Sequence, residues 1–258
     1  MTDAAPLPPE FRRYARQIGP GALSLEGQLR LSRSTAFITR AGGVGGTAAL
    51  GLVTAGVGRV IIAHGGEMIE ADLNRQLLGG DDVVGKPRAE HFAARLWSMN
   101  RQVEIEAIDH EPDEKECLEI ARRADVLVAG PPTFAERLRL NRAAVADQKP
   151  LVDAAQWGLG GTLTVVQPGV SACLACLYPE EPPFEEFFPV VGAIASAIGS
   201  LAALEAIKIL SGTGHPLIGR MLVYDGQSAT MTEVKLHRRS DCPVCGSSFS
   251  AGTATARD

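Results

Sequence analysis

Four of the five cysteines fall in two CxxC pairs, Cys173/Cys176 and Cys242/Cys245. Two residues between thiols is the spacing at which one pair grips a single tetrahedral ion, and a second pair closes the shell. A closed four-sulfur shell leaves no position for water, so the expected zinc is structural and pins the C-terminal segment to the middle of the chain. The competing chemistry is a pair of redox dithiols, although neither pair opens a thioredoxin-like helix and Pro243 stiffens one. The fifth cysteine, Cys117, sits in a helical pattern and reads as packing. A second chemical signal is the glycine cluster Gly42, Gly43, Gly45 and Gly46 between apolar runs. Such a loop lets phosphates approach the backbone and rest on a helix N-terminus.

The elements that must position these groups follow from periodicity. Residues 36–64 read as strand, glycine turn, helix, strand, with Ala36–Thr39 and Val60–Ala63 as buried strands and Thr47–Ala55 as the helix. Helices are expected over Arg88–Met99, Glu114–Arg123, Phe134–Ala146 and Gly192–Leu210. Strands are expected over Val103–Ile108, Val126–Ala129, Pro150–Asp153 and Gly160–Gln167, with a hairpin of Met221–Tyr224 and Met231–Leu236. The alternation predicts an α/β fold, a Rossmann-like, doubly wound and mostly parallel sheet ending in a β-hairpin and the four-cysteine site. The expected organisation is an unstructured start over 1–10, one domain over 11–246 and a frayed tail over 247–258. Within it, 36–64 is the glycine-loop unit and 173–245 the zinc-pinned half. The small residues Gly192, Ser196, Gly199 and Ala203 on one helix face allow close approach of a neighbour. The segment Tyr178–Pro189 reads as a surface loop whose Phe184, Phe187 and Phe188 either meet a partner or dock on the protein itself.

At 258 residues, 45% hydrophobic and 21% charged, the chain has ample core for one globular domain. A net charge of −5 without a basic stripe argues against nucleic acid. No signal peptide is evident, the apolar run Val190–Leu204 is interrupted and too short to span a bilayer, and cysteine usage suits a reducing cytoplasm. His91, His110, His215 and His237 read as surface residues, with no Ser/His/Asp constellation beside them.

Taken in order, RYARQ, AGGVGG, DLNRQ, GKPRAE, CLAC, GSLAALEAIKIL, YDG and CPVCG resemble the ThiF/MoeB family of ubiquitin-activating-type adenylyltransferases over residues 11–246. The resemblance implies ATP-dependent adenylation of the C-terminal glycine of a ubiquitin-like sulfur-carrier protein such as ThiS or MoaD, usually by a homodimer with a four-cysteine zinc. It assigns ATP-phosphate contacts to Arg75 of the Arg75-Gln76 pair. It matches Gly43 and Gly45 to the later loop glycines, and Arg13 and Arg16 to residues that act in the partner's site. Arg88 stands at the position of the family's GxPK lysine, with Lys86 close by in the same loop.

Several family positions are altered. Arg40 replaces the first loop glycine, His64 and Gly66 replace two aspartates at the ribose end, Asp72 replaces an asparagine, and Pro132 replaces an aspartate associated with Mg²⁺. The crossover Glu180–Pro189 has no counterpart of the family's cysteine. A charge-assisted bond to the ribose is worth roughly 1.5–3 kcal/mol, metal stabilisation several more, and about 1.36 kcal/mol is tenfold in rate. Losing both predicts at least about a thousandfold slower adenylation. The expectation is therefore a non-catalytic homologue, a scaffold or dimer partner that binds a carrier tail and has structural zinc but no ATP/Mg²⁺ chemistry, forming a homodimer or a heterodimer with an intact ThiF/MoeB-like chain. The alternatives are an active adenylyltransferase in which Arg40, His64 and Lys86 re-route the phosphates, or a redox protein holding a nicotinamide or flavin.

Overall fold

The computed structural model describes residues 7–183 and 187–246. Met1–Pro6, Phe184 and the tail 247–258, about which expectations were stated above, lie outside them. A 3-10 turn over Pro9–Tyr14 already begins within the stretch expected to be unstructured.

The chain forms a single eight-stranded sheet in the order β3-β2-β1-β4-β5-β6-β7-β8. These strands are β1 (Thr35–Thr39), β2 (Arg59–Ala63), β3 (Glu104–Ile108), β4 (Val126–Ala129), β5 (Leu151–Trp157), β6 (Gly160–Val166), β7 (Arg220–Asp225) and β8 (Thr230–Lys235). The first five run parallel, and β6, β7 and β8 extend the sheet antiparallel. The helices are α1 (Leu25–Leu31), α2 (Gly43–Ala55), α3 (Arg88–Met99), α4 (Glu114–Arg123), α5 (Phe134–Ala146), α6 (Leu174–Leu177) and α7 (Gly192–Ser211).

Successive strand residues point to opposite faces, so each central strand feeds two cores. Ile38, Ile62 and Val128 join Leu52, Phe92 and Ile198 on the side of α2, α3 and α7. Their neighbours Phe37, Ile61 and Leu127 join Leu140, Cys117 and the four zinc-type cysteines on the side of α4 and α5. Cys117 is thus a core thiol, and burial pushes it up to about 12. The helix ends are set locally. Asp113 and Glu116 form a reciprocal capping box on α4, and Thr133 caps α5 through the Glu136 N–H.

Three expectations change. The helix after β1 starts at Gly43 rather than Thr47, so Gly43, Gly45 and Gly46 are its first turn and not a preceding loop. A Cβ on Gly45 would stand 2.3 Å from the Arg40 carbonyl oxygen, which is why this turn takes glycine. β5 runs on to Trp157 because its end pairs with β6, down to Trp157 opposite Gly160. The small-residue face of α7 is filled by α2 of the same chain. A Cβ on Gly199 would lie 2.4 Å from the Val44 carbonyl oxygen, and one on Gly51 only 2.6 Å from Ala203 Cβ. That stripe therefore carries no argument for a dimer. α7, at 20 residues, is longer than the apolar run read from sequence and long enough to cross a bilayer by composition, but it packs here as a core helix.

Candidate functional site

The order of the parallel strands reverses between β1 and β4, and in doubly wound sheets ligands bind at the carboxyl ends of the strands flanking that point. A cavity of about 770 Å³ opens there. Its walls come from the end of β1 (Arg40), the start of α2 (Gly42, Gly43, Val44), the end of β2 (His64), the turn carrying Asp72, Arg75 and Gln76, the start of α3 (Arg88), and the segment after β4 (Gly130, Pro131, Pro132). β5, the crossover and β7 add Trp157, Phe188 and Tyr224 respectively, while Phe134 and Arg137 enter from α5. Of the sequence-predicted residues, Gly43, Arg75, Gln76 and Arg88 meet in this cavity. Gly45 lies in the first turn of α2, packed against the β1 end and outside the lining.

Lys86 is not part of the wall. It is exposed, and its Nζ donates to the Asp82 carbonyl at 2.7 Å. Arg16 and Arg13 are also exposed and absent from the lining; the Arg13 guanidinium donates to the Met99 carbonyl at 3.2 Å. Around them Tyr14 is buried, its hydroxyl joined to Gln102 and Asn100, while Gln17 Nε2 bonds the Ala55 carbonyl. The N-terminal motif is thus fastened by Tyr14 and Gln17, with its arginines left outward.

Each arginine of the cavity wall is paired with a carboxylate of the same chain. Arg40 bridges Glu111 at 2.9 Å and Glu136 at 2.7 Å. Glu111 also accepts from the Gly65 N–H, and Glu136 from the Thr133 hydroxyl. Burial pushes Glu111 above the usual carboxylate range. Asp72, only 3% exposed, accepts from Gln76 Nε2 at 2.7 Å and Arg75 at 3.1 Å through one oxygen. Its other oxygen takes Arg88 at 2.5 Å and the Ile69 N–H at 3.2 Å. Arg137 meets Asp153 at 2.5 Å in the core and donates to the Pro131 and Ala154 carbonyls. Four guanidinium charges therefore face the four carboxylates Asp72, Glu111, Glu136 and Asp153.

The histidine of the wall is held toward its neutral form. His64 packs edge-on to Phe92, and burial first, then the Arg88 and Arg40 charges, lower it from 6.5 to about 4. Beside it Gly66 has φ +78, and a Cβ there would lie 2.9 Å from Arg88 Nη1. Arg40 itself holds φ 51, a left-handed conformation that glycine adopts freely and arginine does not.

The partners Glu111, Glu136 and Asp153 were not anticipated from sequence. Arg40 and Glu136 are 96 residues apart, and only the adjacency of the β1 and β4 ends joins them. Asp153 is brought to the site by its register with Ala129 at the end of β4, which the sequence does not show.

The second site lies behind the sheet. The sulfurs of Cys173, Cys176, Cys242 and Cys245 are all buried and within 4.8 Å of one another. Cys173 and Cys242 stand 3.7 Å apart, and Cys176 and Cys245 3.4 Å. Bonds of about 2.3 Å in a tetrahedron place thiolates about 3.8 Å apart, so the set fits zinc. Asn141 fixes the first knuckle by accepting from the Leu174 N–H at 2.9 Å, and the Arg239 N–H points at Cys176 Sγ at 3.5 Å. When bound, zinc supplies a structural cross-link between the α6 knuckle and the segment after β8.

The fold and these two sites define a Rossmann-like α/β protein with a cavity at its strand reversal and a four-cysteine centre. Residues 14–244 match the model of the ThiF family. The chain belongs to the ThiF family, that of the ThiF/MoeB-type adenylyltransferases of sulfur-carrier and ubiquitin-like activation. It is 43% identical to the vegetative HesA protein of Trichormus variabilis over 240 residues, covering 92% of this chain and 90% of that protein. It is 35% identical to the sulfur carrier protein ThiS adenylyltransferase of Escherichia coli, covering 93% and 96% respectively. Among solved structures, E. coli MccB with MccA-N7isoASN superposes with a TM-score of 0.81 at 21% identity, over 92% of this chain and 74% of that one.

Proposed function

We propose that this chain is a non-catalytic ThiF-family protein that uses its cavity and sheet as a scaffold or dimer partner in the activation of a ubiquitin-like sulfur carrier. The observation that carries this reading is the internal pairing of every cavity-wall arginine. A triphosphate needs uncompensated cations and a metal. Here Arg75 and Arg88 share the Asp72 carboxylate, and the segment after β4 offers Pro131 and Pro132, which have no side-chain oxygen for Mg²⁺. These residues do not fit Mg²⁺-ATP, and no step is assigned through it. Nor can the ribose-end aspartates be returned simply, because Gly66 is left-handed and faces Arg88. The route from Arg40, His64 and Lys86 to a phosphate is unsupported, since Arg40 is doubly paired, His64 is neutral and Lys86 lies off the wall.

On this reading the outward Arg13 and Arg16 serve an intact ThiF/MoeB-like partner, the carrier tail enters past Trp157 and Phe188, and the cysteine usage supports a reducing cytoplasm. ATP–pyrophosphate exchange with a carrier protein tests it. No exchange above a carrier-free blank is expected, and carrier-dependent exchange would overturn it. One observation favours the second reading, an active enzyme: the N-terminus of α2 still opens onto the cavity through Gly42, Gly43 and Val44, which is where a phosphate would sit. The same assay separates the two.

A further inference from the structure

One buried side chain joins the four-cysteine centre to the rest of the protein. Asn141 sits on α5, has no exposed surface, and accepts from the Leu174 N–H at 2.9 Å through Oδ1. That bond fixes which way the amide points, because turning it over would set one donor against another. Nδ2 is therefore held inward, fully buried, where no oxygen accepts from it. A buried amide donor left without an acceptor is costly, and native proteins rarely keep one.

The group that Nδ2 faces is the sulfur of Cys173. Burial pushes the Cys173 thiol up, and the Asn141 amide draws it back down. A neutral thiol is a weak acceptor, whereas a thiolate forms a charge-assisted bond. Cysteine binds metal as the thiolate, so this donor matches the ligand form of the residue it faces. Two other cysteines of the centre are served by the backbone. The Arg239 N–H points at Cys176 Sγ at 3.5 Å, and the N–H groups of Cys245 and Val244 serve Cys242. Cys173 takes its donor from a side chain, and a side chain can be replaced.

The same helix reaches the cavity. Residues four apart on a helix share a face. Arg137, one turn before Asn141, pairs with Asp153, and Phe134 packs on Tyr178, two residues after Cys176, with ring centroids 4.7 Å apart. One buried side of α5 thus serves both sites.

We propose that Asn141 is the positioning residue of the four-cysteine centre, its carbonyl seating the α6 knuckle and its amide N–H donating to the Cys173 thiolate. The metal is then tied to α5 as well as to the segment after β8. Partners of this kind orient metal ligands and tune their basicity, and losing one weakens metal binding about ten- to a hundredfold. The role is independent of whether the cavity is catalytic.

The native chain loaded with ¹¹³Cd²⁺ tests the sulfur bond directly by NMR. An amide proton bonded to a metal-bound thiolate couples through the sulfur to ¹¹³Cd. Coupling is expected at a side-chain amide proton of Asn141, with the Arg239 N–H at Cys176 as the reference. Zn²⁺ affinity is then read by competition with a chromophoric chelator. Asn141→Ala is expected to bind Zn²⁺ about ten- to a hundredfold more weakly than the native chain. Asn141→Asp keeps an acceptor for the Leu174 N–H but loses the donor, and is expected to bind at least as weakly as Asn141→Ala. Arg142→Ala, which breaks an exposed pair with Glu114 on the same helix, should leave the affinity within about twofold. Coupling at Arg239 without coupling at Asn141 overturns the proposal. So does an Asn141→Asp affinity within about twofold of native, which would reduce Asn141 to its bond with Leu174. An equal loss in Arg142→Ala overturns it as well, by assigning the effect to the stability of α5. Should the Asn141 variants not fold, the coupling on the native chain decides alone.

Discussion

Arg40 shows how one residue can remake a glycine loop. Its left-handed backbone costs of order 1–3 kcal/mol, yet its guanidinium ties the segment after β3 (Glu111) to the start of α5 (Glu136). Arg40→Gly relieves the strain but leaves two carboxylates close together and partly buried, which costs about 3–5 kcal/mol. The loss should win, destabilising the protein by about 1–3 kcal/mol at neutral pH in urea denaturation. Burial already raises Glu111, so acidification relieves the repulsion and the penalty should shrink as pH falls. A variant as stable as the native chain at neutral pH would contradict this.

His64 carries the opposite sign. Its folded value lies near 4 against 6.5 for an ordinary histidine, so between those values the unfolded chain binds a proton that the folded one does not. Its contribution to stability is complete above 6.5 and is lost as pH falls toward 4. The slope corresponds to about 3 kcal/mol across that window. His64→Gln should flatten the dependence of unfolding free energy on pH there, while an unchanged slope would assign it to other groups.

At the level of elements, α2 and α7 approach closely enough that glycine is required on both helices. Gly199→Leu drives a side chain into the Val44 carbonyl and Thr47, where no atom can move cheaply. It should cost at least about 3 kcal/mol or abolish soluble expression, whereas Ser196→Ala on the same helix should change stability by less than about 1 kcal/mol. The knuckles behave as a unit too. Chelation of the metal, or Cys242→Ser, should release the segment after β8, read as rapid amide exchange over 236–246 with the core strands still protected. Retained protection would mean that the cysteines are not holding a metal.

Much of this was legible in the sequence, for identifiable reasons. Helices α4 and α5 span the residues that their sequence pattern gives, and the structure shows local caps fixing their starts, Asp113/Glu116 and Thr133/Glu136. The cysteine site was readable because CxxC spacing is itself a geometry. The start of α2 was not, because glycine-rich first turns have the composition of loops. The charge pairing of the cavity was illegible for a different reason. Each partner of Arg40 and Arg137 lies on another element, and whether a cation is free or matched is a fact of tertiary contact. His64 read as a missing carboxylate; its burial against Phe92 and beside Arg88 became visible only in three dimensions.

For the whole molecule, the frame of a nucleotide-binding domain is intact, from the reversal between β1 and β4 to the four-cysteine cluster, while the charge of its cavity has been balanced from within. The most direct test is calorimetric titration of the zinc-loaded chain with Mg²⁺-ATP. This account predicts no binding, or binding weaker than about millimolar, with no dependence on Mg²⁺. Micromolar, Mg²⁺-dependent binding would contradict it, because matched arginines and a proline-lined metal position offer nothing to produce it.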